Sequence, residues 1–132
     1  MRVLSLETEG FRMLSPARVE LGEGVNVICG ENAQGKTTLL EAVFLLTLSR
    51  SFRARTDREL IAFGAERAFV TGTVEAAGRE QTVELCFEKG KRRSVKVNRV
   101  KKSAAEVSDC LKAVLFCPED LQMLKSGSAP RR

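Results

Sequence analysis

At 132 residues and 43% hydrophobic content, the chain is long enough for one folded domain with a real core and too short for two. Its net charge of +5 leans toward polyanionic partners without being extreme, and no apolar stretch is long enough for a signal peptide or a bilayer span, so a cytoplasmic protein without a membrane partner is expected. With no histidine and no C-x-x-C pair, the usual zinc patterns are excluded, and with no Trp or Tyr, base stacking on aromatic platforms is disfavoured.

In chain order, residues 2–9 and 17–21 read as strands separated by Ser15-Pro16, and Gly22-Glu23-Gly24 turns the chain into a third strand over 25–29. A phosphate-loop pattern at 30–37 follows, and then residues 38–46 read as a buried helix. Residues 49–57 lose the apolar period and form a basic loop holding Arg50, Arg53 and Arg55, interrupted by Phe52. Three strands over 67–76, 81–88 and 93–100 predict an antiparallel β meander spanning 67–100, with one buried and one wet face. Ser103-Ala104-Ala105-Glu106 is a capping box that predicts a helix to about Lys112, and residues 113–117 read as a buried strand. Pro118-Glu119-Asp120 opens a last helix over 118–126. Cys29 and Cys117, each inside an apolar run, are expected to be small buried hydrophobes.

The pattern that carries chemistry is Gly30-Glu31-Asn32-Ala33-Gln34-Gly35-Lys36-Thr37, which fits G-x-x-x-x-G-K-[ST] between a predicted strand and a predicted helix. Glycines at both ends let the backbone curl so that successive N–H groups point at an anion, and the helix N-terminus adds partial positive charge. Lys36 is expected to reach the β- and γ-phosphates of a bound nucleotide, and the Thr37 hydroxyl to ligate Mg²⁺. Thr38 continues the binding segment into the helix. A small GTPase would need D-x-x-G and N-K-x-D, and neither string occurs.

Together these segments resemble the N-terminal part of the RecF family, whose ATPase head is related to those of SMC proteins and ABC-type ATPases. The likeness runs through the whole chain. It includes Gly10-Phe11-Arg12, the loop with Asn32 inside it, Ser51-Phe52-Arg53, Val95-Lys96-Val97-Asn98, and the tail Leu115-Phe116-Cys117-Pro118-Glu119-Asp120-Leu121. The resemblance implies an α/β fold of the P-loop NTPase class, ABC/SMC-head type: a mixed sheet with the antiparallel meander, present as an incomplete lobe from which 118–126 starts a helix leading into an arm. It implies that ATP is the nucleotide, with Arg12 at a contacting position. It further implies an ATP-dependent homodimer that holds DNA, gapped or at single/double-strand junctions, in recombinational repair, replication restart and the SOS response, with recombination mediator proteins as partners.

Two elements that hydrolysis requires in this family, a Walker B carboxylate pair and a signature loop, are not recognisable in the chain. It is therefore expected to bind ATP without hydrolysing it efficiently, and no catalytic residue is assigned. Arg50, Arg53 and Arg55 in the basic loop, and Lys91, Arg92 and Arg93 at a hairpin tip, are the candidates for DNA phosphate contact, although cations there also suit a solvated surface or a protected sheet edge. The competing reading is a non-catalytic nucleotide-binding interaction module that recruits repair or replication proteins.

Overall fold

Alternation in the first strand sets the frame. In β1 (Arg2–Glu9) Leu6 and Thr8 turn inward while Glu7 and Glu9 face solvent, the period of two that a sheet with one wet face requires. The computed structural model describes residues 1–31 and 35–117. It pairs β1 with β2 (Ala17–Glu20) on one side and with β3 (Arg67–Ala76) on the other. β4 (Arg79–Glu88), β5 (Ser94–Val97) and β6 (Val100–Lys101) complete the order β2-β1-β3-β4-β5-β6, and every pairing among the described residues is antiparallel.

The β3–β4 ladder runs unbroken from Arg67 opposite Glu88 to Ala76 opposite Arg79. Ala77 and Gly78 close it with φ of 51° and 70°, the pair of positive values that a two-residue hairpin turn needs to match strand twist. The predicted meander is therefore present, with one change. Residues 93–100 do not form a single strand, because Asn98 and Arg99 also take positive φ and reverse the chain between β5 and β6. Asn98 tolerates this conformation and is held on both sides: its N–H donates to the Thr82 carbonyl at 2.8 Å, and its side-chain oxygen accepts from the Thr82 N–H at 2.9 Å.

Helix α1 (Lys36–Leu48) lies across the inward face of the sheet. Of its buried positions, Thr38, Glu41, Ala42, Leu45 and Leu46 fall three and four apart and make one stripe, while Thr47 is buried beside it with its hydroxyl donating to the Phe44 carbonyl. Contact is closest where Leu46 meets Gly72, since a Cβ on Gly72 would sit 2.2 Å from Leu46 Cδ1. Around this crossing Leu6, Leu45, Val70, Val74, Val83, Leu85 and Phe87 are all buried.

A short helix α2 (Ala104–Ser108) starts at the predicted capping box. Ser103 N–H donates to Glu106 at 2.8 Å and the Ser103 hydroxyl accepts from Glu106 N–H at 3.3 Å. The bond from Ser103 N–H, with the help of Lys102 and the Ser103 hydroxyl, lowers the Glu106 carboxyl to about 2. The helix ends at Ser108, well short of Lys112, because Cys110 N–H turns back to the Val107 carbonyl at 2.9 Å and tightens the last turn. Between α1 and β3 the predicted basic loop gains a 3-10 turn, Asp57–Leu60, capped by Thr56 and Glu59.

Two strand expectations are overturned. Residues 25–29 and 113–117 carry no ladder; Val25, Val27, Val114 and Phe116 are 90, 80, 98 and 68% exposed. Cys29 is accordingly exposed and Cys117 half-buried, against the expectation that both are buried. Both runs have strand composition, but a strand forms only where another edge supplies hydrogen-bond partners, and no described strand lies beside either. The fold is a partial domain that leaves two strand-like runs uncovered. The last predicted helix, 118–126, lies outside the described residues, as do Asn32, Ala33 and Gln34 of the phosphate loop.

Candidate nucleotide site

The site is assembled where three segments converge on the start of α1. The first is the phosphate loop itself. Gly35 caps α1 with φ 92° and ψ 14°, a left-handed conformation natural to glycine, and a Cβ there would also lie 2.4 Å from Leu14 Cδ2. Among the described residues no side-chain hydrogen bond caps this helix end, and no acidic residue occupies its first turn. The first intrahelical bond runs from Leu39 N–H to the Gly35 carbonyl at 2.9 Å, so the N–H groups before Leu39 remain directed out of the helix end, where an anion satisfies them. The Lys36 ammonium donates to the Gly30 carbonyl, bridging the two ends of the loop. Thr37 is exposed on the first turn.

The second segment is the turn after β1. Gly10 has φ +61°, and a Cβ there would lie 2.4 Å from the Arg67 carbonyl oxygen. Phe11, fully buried, bridges to Ile61; Arg12 N–H donates to the Leu60 carbonyl at 3.0 Å and Ala62 N–H to the Gly10 carbonyl at 2.8 Å. The turn is thereby clamped to the segment after the 3-10 turn, and Arg12, with φ 49°, is aimed at α1.

The third segment is Ser51-Phe52-Arg53. Phe52 packs edge-on against Phe44 of α1 with ring centroids 5.7 Å apart, and the Arg53 guanidinium lies 5.9 Å from the Phe52 ring centre. The second and third segments meet at Glu41 on α1. This carboxylate is fully buried one turn beyond Thr37 and accepts from Arg12 Nε at 2.6 Å, Arg12 Nη2 at 2.9 Å, Arg53 Nη2 at 2.7 Å and the Ser51 hydroxyl. The same Arg53 Nη2 reaches the Thr38 hydroxyl at 3.2 Å. Burial pushes the Glu41 carboxyl up, but the bonds from Arg12, Arg53 and Ser51 outweigh it and hold it below the usual carboxylate range. An open cleft of about 270 Å³ adjoins the cluster, with Arg12, Thr38, Arg53 and Glu59 on its polar side and Met13, Ile61 and Phe63 on its apolar side.

Of the residues the sequence singled out, Gly30, Gly35, Lys36, Thr37, Thr38 and Arg12 are brought together here, with Glu31 at the loop's near end. Arg53 belongs to this cluster as well, and its guanidinium is engaged by Glu41 and Thr38. Arg50 and Arg55 stay exposed on the basic loop. Of the hairpin-tip cations, Lys91 pairs with Glu88 at 3.0 Å, and Arg93 pairs with Asp57 at 2.6 Å while its guanidinium lies 5.7 Å from the Phe87 ring centre; Arg92 is exposed. Sequence reasoning passed over Glu41. The available signal was a carboxylate in register with Thr38, Ala42 and Leu45 on the stripe that has to be buried.

Mg²⁺ fits this donor set only together with a phosphate. Among the described residues no group of acidic or thiol side chains could hold a metal ion, so the chain offers the Thr37 hydroxyl, and the remaining oxygens of an octahedral ion would come from nucleotide and water.

Comparison with known proteins places the chain by family and fold. Residues 5–113 match the family described as AAA domain. The DNA replication and repair protein RecF of Lactobacillus delbrueckii subsp. bulgaricus is 41% identical over 133 residues, which cover all of this chain and 35% of that protein. The chain thus spans about a third of the length of the curated relatives it matches. A solved structure of the recombination mediator protein RecF with ATP superposes with a TM-score of 0.86 at 38% identity, covering 93% of this chain and 34% of that one. An SMC ATPase structure matches at TM-score 0.74 and 19% identity over 94% of this chain, a likeness of fold.

Proposed function

Because the chain belongs to the AAA domain family, we propose that it is the ATP-binding part of a RecF-like protein that binds DNA in an ATP-dependent manner during recombinational repair, replication restart and the SOS response. One observation carries the nucleotide part of this reading: a helix N-terminus behind Gly35 that no described side chain caps, with Lys36 spanning the loop and Arg12 converging from β1. The backbone N–H groups at the start of α1 take the phosphates, Lys36 leaves the Gly30 carbonyl for a phosphate oxygen, and Thr37 supplies a ligand to Mg²⁺. Glu31, Asn32, Ala33 and Gln34 complete the loop, Thr38 extends it, and Arg12 contributes from the side.

The chain binds ATP and hydrolyses it poorly, since it offers no recognisable Walker B carboxylate. ATP shared between two copies of the complete protein favours the closed homodimer, and that state holds DNA in the cytoplasm; recombination mediators are its protein partners. Within the described residues no helix is long and apolar enough to cross a membrane. Arg50, Arg55 and Arg92, all exposed, are the better candidates for DNA phosphate; Arg53, Lys91 and Arg93 are already engaged by carboxylates.

The test is equilibrium binding of a fluorescent ATP analogue to the natural polypeptide and to its Lys36→Ala variant. Losing a charge-assisted contact worth about 1.5–3 kcal/mol weakens binding about 10–150-fold. Equal affinity in the two proteins overturns the assignment. DNA binding with and without ATP then separates the readings. ATP-dependent affinity that loses about one unit of salt slope for each arginine neutralised supports the DNA reading. Tight ATP binding without DNA affinity favours the non-catalytic interaction module.

A further inference from the structure

Glu41 has no place in the phosphate-loop pattern, yet it is the most heavily bonded side chain near the loop. A carboxylate with no exposure at all loses its hydration, and an apolar side chain would fill the stripe between Thr38 and Leu45 without that cost. Nothing about core packing asks for a charge here. The bonds do. Arg12 and Arg53 carry like charges on two segments far apart in sequence, and both reach the same Glu41 Oε2, at 2.6 and 2.7 Å. Without a carboxylate between them the guanidinium groups would repel and turn to solvent.

We infer that Glu41 is a positioning residue for nucleotide binding, holding Arg12 and Arg53 side by side at the edge of the cleft above Thr38. The inference rests on the nucleotide reading given above. Glu59 also lines the cleft, so its charge as a whole is balanced, and what the cluster offers an anionic ligand is the set of guanidinium N–H groups that Glu41 leaves unused. Arg12 spends Nε and Nη2 on Glu41 and Arg53 spends Nη2 on Glu41 and Thr38, so among the described residues Arg12 Nη1 and Arg53 Nε and Nη1 meet no acceptor. Ser51 keys the arrangement. Its hydroxyl donates to Glu41 while its oxygen accepts from Arg53 N–H at 2.9 Å and Ala54 N–H at 2.8 Å, which orients the loop that presents Arg53.

The experiment is a double-mutant cycle on ATP affinity in the natural polypeptide, with Glu41→Gln, Arg12→Ala and the pair, beside thermal unfolding of each. The expected result is that Glu41→Gln weakens ATP about tenfold in protein that remains folded, and that Arg12→Ala, costly alone, adds less than about twofold in the Glu41→Gln background. Wild-type ATP affinity in folded Glu41→Gln, or simple additivity with Arg12→Ala, overturns the inference and leaves the nucleotide assignment standing. ATP binding absent from the wild type, or indifferent to Lys36→Ala, sinks both. If Glu41→Gln does not fold, Ser51→Ala decides: a weakening of at least about threefold supports the positioning role, and unchanged affinity removes it.

Discussion

Two apolar-rich runs of this molecule have opposite fates. In β4, Val83, Leu85 and Phe87 alternate with polar residues and are wholly buried, whereas Val25 and Val27 alternate with Asn26 and Ile28 and stand open to solvent. The difference is the supply of partners. β3 lies two residues upstream of β4 across a hairpin, so the ladder closes locally at little entropic cost. Among the described residues, 25–29 have no such neighbour, and neither do 113–117, where Val114 and Phe116 are also exposed. Apolar alternation makes a segment able to join a sheet; an available edge makes it a strand.

This contrast can be broken or sharpened by substitution. The largest effect should come from Leu85→Ala, which opens a cavity under α1 and should cost about 2–5 kcal/mol, read as a lower urea midpoint at constant slope. Glu41→Ala comes next, at about 3 kcal/mol, near the low end for breaking a buried ion pair because both arginines keep some solvent contact. The same group sets a pH dependence. Its folded carboxyl lies below the ordinary value, so its stabilisation is complete above that value and disappears as pH falls through the folded one; Glu41→Gln should flatten the acid limb of the stability profile.

Smaller effects probe the closeness of packing. Gly72→Ala should cost about 1–3 kcal/mol, since the added methyl meets a buried Leu46 that cannot swing aside. At the other sheet end, acidification from 4.5 to about 2 should begin to protonate Glu106 and fray α2, visible as a lower amide-exchange protection factor at Glu106 while the β3–β4 ladder stays protected. The smallest effect belongs to Val27→Ala, within about 0.5 kcal/mol. Were Val27→Ala to cost as much as Val83→Ala, residues 25–29 would have a partner and the comparison would fail.

Much of the meander was legible in the sequence. Residues 2–9 and 67–76 match β1 and β3 end to end, because alternation and flanking turn residues report local preferences that the sheet then uses. The break at Asn98 was missed because a strand reading weighs apolar alternation above a single turn-forming residue. Within the site, the loop and Lys36 could be read directly, since their spacing is contiguous. Glu41 with its two arginines and Ser51 could not, because its partners lie 29, 12 and 10 residues away and become neighbours only after β1, α1 and the basic loop have packed.

By itself, then, the sequence determined the local facts: where the chain turns, which faces are apolar, and that a phosphate-loop pattern opens a helix, because these depend on residues within a few positions of one another. Tertiary structure alone decided which apolar runs became strands and which arginines became part of the site. Arg53 reads as one of several loop cations until the fold places it 2.7 Å from a buried carboxylate. Pairing partners and charge neighbours are properties of packed segments distant in sequence, and no local pattern encodes them.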